Sequence, residues 1–155
     1  MLTSIRRFTF ALSTLGAASL LAAASAAMAQ ADAALAAAAK EAGASVTKSG
    51  LVYRSLKEGT GTSPAATDKV KVHYRGSFPD GREFDSSYKR NEPTEFPLNG
   101  VIPCWTEGVQ LMKVGGKAKL TCPAAIAYGA RGAGGVIPPN ATLQFEIELL
   151  AVNGK

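Results

Sequence analysis

The sequence predicts an α+β domain in which an antiparallel sheet of about five strands wraps around one short helix. Three observations predict it. Short runs of alternating apolar and polar residues recur along the last two thirds of the chain, and period-two alternation marks strands with one buried face. One stretch, residues 101–112, breaks that alternation: Trp105, Val109 and Met112 fall at i, i+4 and i+7, one face of a helix. Residues 123–142 form a Gly-, Ala- and Pro-rich segment, and a loop of that length inside a compact domain points to function.

The chain has 155 residues, enough for one domain with a real core, although much of its 46 % apolar content is alanine near the N-terminus. Residues 1–30 read as a secretory leader. Arg6 and Arg7 supply the positive start, residues 8–21 the apolar run, and Ala27-Met28-Ala29 the small residues of a cleavage site after Ala29. A membrane-spanning helix is the competing reading, but the run is short and diluted by Ala, Ser and Thr against the ~20 apolar residues a span needs. The expected product is periplasmic or secreted, free of the membrane once the leader is gone, in a compartment where disulfides persist. The expected layout is a leader over 1–29, an Ala-rich tether over 30–47 and the domain proper over 48–155. Residues 31–44 hold only Leu35 as a large apolar side chain and read as a frayed helical tether, with a remnant dimerisation arm as the alternative.

Within the domain, residues 51–57 read as the first strand and a turn cluster follows. Residues 69–75 alternate with Val70, Val72 and Tyr74 on one face and Lys71, His73 and Arg75 on the other. His73 thus belongs to the wet face. Pro79-Asp80-Gly81 is a tight turn. Residues 82–86 begin a third strand, which 88–93 interrupt and 95–98 resume. Residues 117–122 point Ala118, Leu120 and Cys122 inward, and residues 143–149 point Leu143, Phe145, Ile147 and Leu149 inward.

The composition excludes several functions. Arg6 and Arg7 leave with the leader, so 15 basic residues face 12 acidic ones, a net charge of +3 that is too mild and too mixed for nucleic acid. Two cysteines and one histidine leave little scope for a metal, and no cofactor is expected. G-x-S-x-G, H-E-x-x-H and a phosphate loop are all absent. What remains is a set of apolar residues, Phe84, Phe96, Val101, Ile102, Trp105, Ile137 and Phe145, accompanied by Tyr74, Asp85, Arg90 and Tyr128. Such a pocket binds a ligand rather than breaking a bond.

Several motifs carry a resemblance. Val72-His73-Tyr74-Arg75-Gly76, Asp80-Gly81 followed by Phe84-Asp85-Ser86-Ser87, Val101-Ile102 with Trp105, Glu107-Gly108-Val109-Gln110-Leu111-Met112, Ala127-Tyr128-Gly129 and Ile137-Pro138-Pro139-Asn140-Ala141-Thr142-Leu143 occur in order over about 51–152. This pattern resembles the FK506-binding protein family of peptidyl-prolyl cis-trans isomerases, in the exported form found in Gram-negative bacteria. The resemblance implies rotation of X-Pro bonds in unfolded or partly folded exported proteins, with macrolides such as FK506 and rapamycin as inhibitors. It implies a prolyl ring seated on Trp105 and walled by Tyr74, Phe84, Phe96, Val101, Ile102 and Phe145. By the same resemblance Tyr128 donates to a substrate carbonyl, the Ile102 N–H holds a second one, Asp85 lies by the twisting amide under the control of Arg90, and Ile137 closes the flap. A chaperone or proline-peptide binding module with incidental isomerase activity is the alternative. Cys104 departs from the family, which commonly has glycine before the tryptophan. The even cysteine count and the oxidising compartment allow a Cys104–Cys122 disulfide, with two buried thiols as the other possibility.

Overall fold

The computed structural model describes residues 17–155, with side chains for 26 and 28–155. Arg6, Arg7 and residues 8–16 of the apolar run of the expected leader lie outside the described residues. Seven strands build one antiparallel sheet: β1 (Ala44–Val46), β2 (Val52–Lys57), β3 (Lys69–Ser77), β4 (Glu83–Ser86), β5 (Thr94–Pro97), β6 (Lys117–Cys122) and β7 (Leu143–Val152). Their order is β1-β2-β6-β7-β3-β4, with β5 sharing the outer edge of β3 with β4. The excess over about five strands comes from β1 and from the split of the third predicted strand into β4 and β5 around residues 87–93.

Alternation places the core. Val70, Val72 and Tyr74 of β3, Ala118 and Leu120 of β6, and Leu143, Phe145, Ile147 and Leu149 of β7 are all buried on one face. His73 lies on the opposite face, where its ring stacks on Tyr88 at 4.7 Å and its Nδ1 bonds the Ser87 hydroxyl at 2.9 Å.

Helix α2 (Pro103–Gln110) crosses that buried face. Its first residue is a proline, whose missing N–H costs nothing at a helix start and whose fixed φ suits one. Trp105, Val109 and Met112 are buried against the sheet. Gly108 lets the helix lie flat: a side chain there would collide with Leu120 and touch Leu51. Cys104 at the front of α2 and Cys122 at the end of β6 form a disulfide, both fully buried, with their Cα atoms 5.9 Å apart.

The N-terminal part departs from a frayed tether. Helix α1 (Ala17–Ala39) ends with Ala38 buried, and the chain turns at once into β1, paired with β2 from Ala44↔Arg54 to Val46↔Val52. Glu41 clamps the junction, bonding Arg54 at 2.9 Å and Lys119 at 3.0 Å. Ordered structure therefore begins ahead of the predicted start at residue 48. Among the described residues no helix is long and apolar enough to cross a membrane.

Candidate active site

A cavity of about 470 Å³ opens between α2, the β3–β4 end of the sheet and the long loop before β7. Trp105 forms its floor. The indole meets three other rings edge-on: Tyr74 at 5.1 Å, Phe145 at 5.4 Å and Phe96 at 5.5 Å, with interplanar angles of 79°, 89° and 87°. Edge-to-face pairs are the favoured aromatic arrangement and hold the plate upright without filling the space above it. Phe84 extends the wall by packing edge-on to Phe145 at 5.7 Å.

The polar side of the cavity is built on β3 and β4. Tyr74 enters on the inward face of β3 and Asp85 faces it from β4. The β3–β4 register shifts between Gly76 and Ser77, and such an irregularity re-aims neighbouring side chains, so consecutive Phe84 and Asp85 both reach the cavity. The Tyr74 hydroxyl donates to Asp85 Oδ2. Arg90, carried on the connection between β4 and β5, donates from Nη1 to Asp85 Oδ1 at 2.5 Å and from Nη2 to the Tyr74 hydroxyl at 3.1 Å. Burial pushes the Asp85 carboxyl up, but the hydrogen bonds from Tyr74 and Arg90 and the charge of Arg90 outweigh it, and its pKa lies below the usual 3.8. Burial, then the bond to Asp85, raises the Tyr74 phenol above 10. The Arg90 guanidinium is held more firmly protonated by Asp85 and Tyr74.

Of the predicted site residues, Tyr74, Phe84, Asp85, Phe96, Val101, Ile102, Trp105, Tyr128 and Phe145 line the cavity together. Two do not. Arg90 stands behind Asp85, outside the lining, and acts on the site only through Asp85 and Tyr74. Ile137 does not line it either: it is 7 % exposed, packed into the core, and its backbone pairs with Ala133 in a tight hairpin. Its burial and its backbone pairing with Ala133 tie the flap segment to the core. Gly100, in the short Asn99-Gly100 connection, also lines the cavity. Its contribution is backbone and open space. Tyr128 stands at the rim, 40 % exposed. Among the described residues no cluster of His, Cys, Asp and Glu is arranged to hold a metal.

A sheet wrapped on one helix, with an aromatic cup at its open end, defines the class. Residues 60–150, more than half the chain, match the family of FKBP-type peptidyl-prolyl cis-trans isomerases, and the chain belongs to that family. Among its relatives, the FKBP-type 22 kDa peptidyl-prolyl cis-trans isomerase of Escherichia coli is 55 % identical over 113 residues, covering 73 % of this chain and 55 % of its own. The FKBP-type peptidyl-prolyl cis-trans isomerase FkpA of Aeromonas hydrophila is 59 % identical over 113 residues, covering 73 % of this chain and 42 % of its own. This chain thus spans about half the length of these curated relatives. The crystal structure of FkpA from Escherichia coli superposes with a TM-score of 0.81 at 45 % identity, covering 87 % of this chain and 63 % of that one. A peptidyl-prolyl cis-trans isomerase from Pseudomonas syringae superposes with a TM-score of 0.76 at 40 % identity, covering 83 % and 94 %.

Proposed function

We propose that this chain is a peptidyl-prolyl cis-trans isomerase that turns X-Pro bonds in exported proteins by burial and hydrogen bonding, with no covalent step. The observation that carries the reading is the open cavity over Trp105, apolar on three sides and holding one ionised carboxylate. Family membership supports it.

An X-Pro bond prefers trans by only ~0.5–1 kcal/mol, but rotation must break amide resonance, a barrier of ~18–20 kcal/mol. The planar amide is strongly dipolar and the twisted one less so. Surroundings that exclude water therefore favour the twisted form, and every ~1.4 kcal/mol removed from the barrier gives a tenfold rate. In the proposed pose the prolyl ring lies on Trp105, between Tyr74, Phe84, Phe96, Val101, Ile102 and Phe145. The Tyr128 hydroxyl donates to one substrate carbonyl and the Ile102 N–H to another. Asp85 faces the carbonyl that turns, held in place by Tyr74 and Arg90. FK506 and rapamycin occupy the same cavity and block it.

On this reading residues 1–29 are a leader removed after Ala29 and the mature protein works in the periplasm. Residues 30–47 form a helical arm whose last part joins the sheet as β1, and 48–155 form the body of the isomerase domain. Its clients are unfolded or partly folded exported chains.

A protease-coupled X-Pro peptide assay tests the proposal. The chain should accelerate isomerisation, FK506 should abolish the activity, and Asp85→Ala or Tyr128→Phe should each lower kcat/KM about tenfold with the thermal transition preserved. Activity indifferent to the drug and to both substitutions would show that the cavity is not the site.

A further inference from the structure

Gly76 lies against two residues of the pocket wall, Phe84 and Phe145, where a glycine is out of place on local grounds. It lies in β3, flanked in the sheet by β4 on one side and β7 on the other, opposite Asp85 and Phe145. A glycine inside a central strand weakens it, since it gives up side-chain packing and has more freedom to lose. Its φ is not in the left-handed region, so the backbone does not require glycine. The reason lies in the space above it. A Cβ at this position would come within 2.6 Å of Phe84 Cζ, 2.7 Å of Phe84 Cε2 and 3.0 Å of Phe145 Cε1. These are the two rings that meet edge-on at 5.7 Å, and Phe145 in turn meets Trp105 at 5.4 Å. On one side Phe84 is closed in by Phe78, which packs on it at 5.1 Å with the Arg82 guanidinium over Phe78 at 5.0 Å.

We propose that Gly76 is a positioning residue of the isomerase pocket: its missing side chain seats Phe84 and Phe145, which together set the distance between the wall and the Trp105 floor. Gly76 occupies the inward position on β3 that follows Tyr74, so any side chain there enters the wall. The smallest one displaces Phe84 either over the mouth of the cavity or against Phe78, and shifts the Phe145 edge relative to the indole. The width of the cup, and hence the fit of a prolyl ring, is set by a residue that touches no substrate. This inference rests on the isomerase reading for its consequence, but the contact at its root does not.

The test is a double-mutant cycle in the full chain, comparing the parent, Gly76→Ala, Phe84→Leu and Gly76→Ala/Phe84→Leu. Leucine lacks the ring atoms that the new Cβ meets. Three readouts are taken: kcat/KM on an X-Pro peptide, FK506 affinity by calorimetry, and melting temperature. Gly76→Ala should lower kcat/KM and drug affinity about tenfold. Phe84→Leu should also lower both, as a wall residue must. The double variant should do better than the product of the two losses and recover drug affinity relative to Gly76→Ala alone. A purely structural role for Gly76 would lower the melting temperature without changing drug affinity well below the transition. If Gly76→Ala does not fold, restoration of a cooperative transition by Phe84→Leu supports the contact, and failure to restore it overturns the proposal. Effects of Gly76→Ala within about twofold of the parent, or two losses that simply add, overturn it as well. A parent chain without isomerase activity would refute the isomerase reading, while the melting cycle would still decide whether residues 76 and 84 compete for one space.

Discussion

Asp85 is held as a carboxylate by two partners of different kinds, the neutral Tyr74 hydroxyl and the permanently charged Arg90 guanidinium. Its pKa is depressed below 3.8. A group whose folded pKa is depressed contributes stability that is fully present above its unfolded value and is lost as pH falls through the folded value. Tyr74 is shifted the other way, above 10. Between these two limits neither group changes charge, so kcat/KM and FK506 affinity should be level from about pH 5 to 9. A pH profile of drug affinity checks this, and a pKa near neutrality in that profile would contradict the Tyr74–Asp85–Arg90 geometry. The Asp85 side chain is 40 % exposed and so partly screened by solvent, and Asp85→Asn should cost under about 1 kcal/mol in stability while reducing activity. That separation of stability from activity distinguishes a functional carboxylate from a merely structural ion pair.

At the scale of elements, the Cys104–Cys122 bond joins the front of α2 to the end of β6. One cysteine directly precedes the floor residue Trp105, and the other directly precedes the flap segment. The sequence separation is 18, which the chain-entropy model converts to about 3 kcal/mol of stability, by restricting the unfolded chain. Both sulfurs are fully buried, so a reductant reaches them only when the domain opens. The native protein should resist mild reductant at 25 °C, yet melt many degrees lower once unfolded, reduced and refolded. Melting curves of the Cys104→Ala/Cys122→Ala variant against the parent measure the size of the effect. An unchanged transition would show that the link is idle. Strand β1 contributes on a smaller scale. Its pairings with β2 cover an edge whose neighbours Leu51 and Val52 are buried.

For the whole molecule, the boundary between arm and domain becomes a matter of energy. A chain starting at Glu41 keeps both β1 and the clamp on Arg54 and Lys119. One starting at Thr47 loses them, at a cost of about 1–3 kcal/mol for the lost backbone pairs, or roughly 4–12 °C in melting temperature. Isomerase activity at 25 °C should survive both truncations, since the cavity lies at the other end of the sheet order. Most of this sheet was legible because β3, β6 and β7 alternate cleanly over six or more residues each. β1 was not: Ala-Ser-Val is too short to show a period, and it exists only because β2 offers an edge and Glu41 finds two cations. The site was legible where its residues are large. Trp105, Tyr74 and Phe145 announce themselves by size, whereas Gly100 and Gly76 act through the atoms they lack. Arg90 was named with its contact, Asp85, and the two are paired. Ile137 was named as part of the cavity and is instead buried in the core outside the lining. Which way a flap hairpin turns depends on tertiary packing that local pattern does not encode.

The chain has a single indole, and it lies at the bottom of the cup with three aromatic edges around it. Anything that enters must lie on that chromophore and displace the water above it. Intrinsic fluorescence is therefore a label-free gauge of occupancy, with no second emitter of its kind to dilute the signal. Any candidate ligand of the cavity can be ranked by titration against the light of one residue.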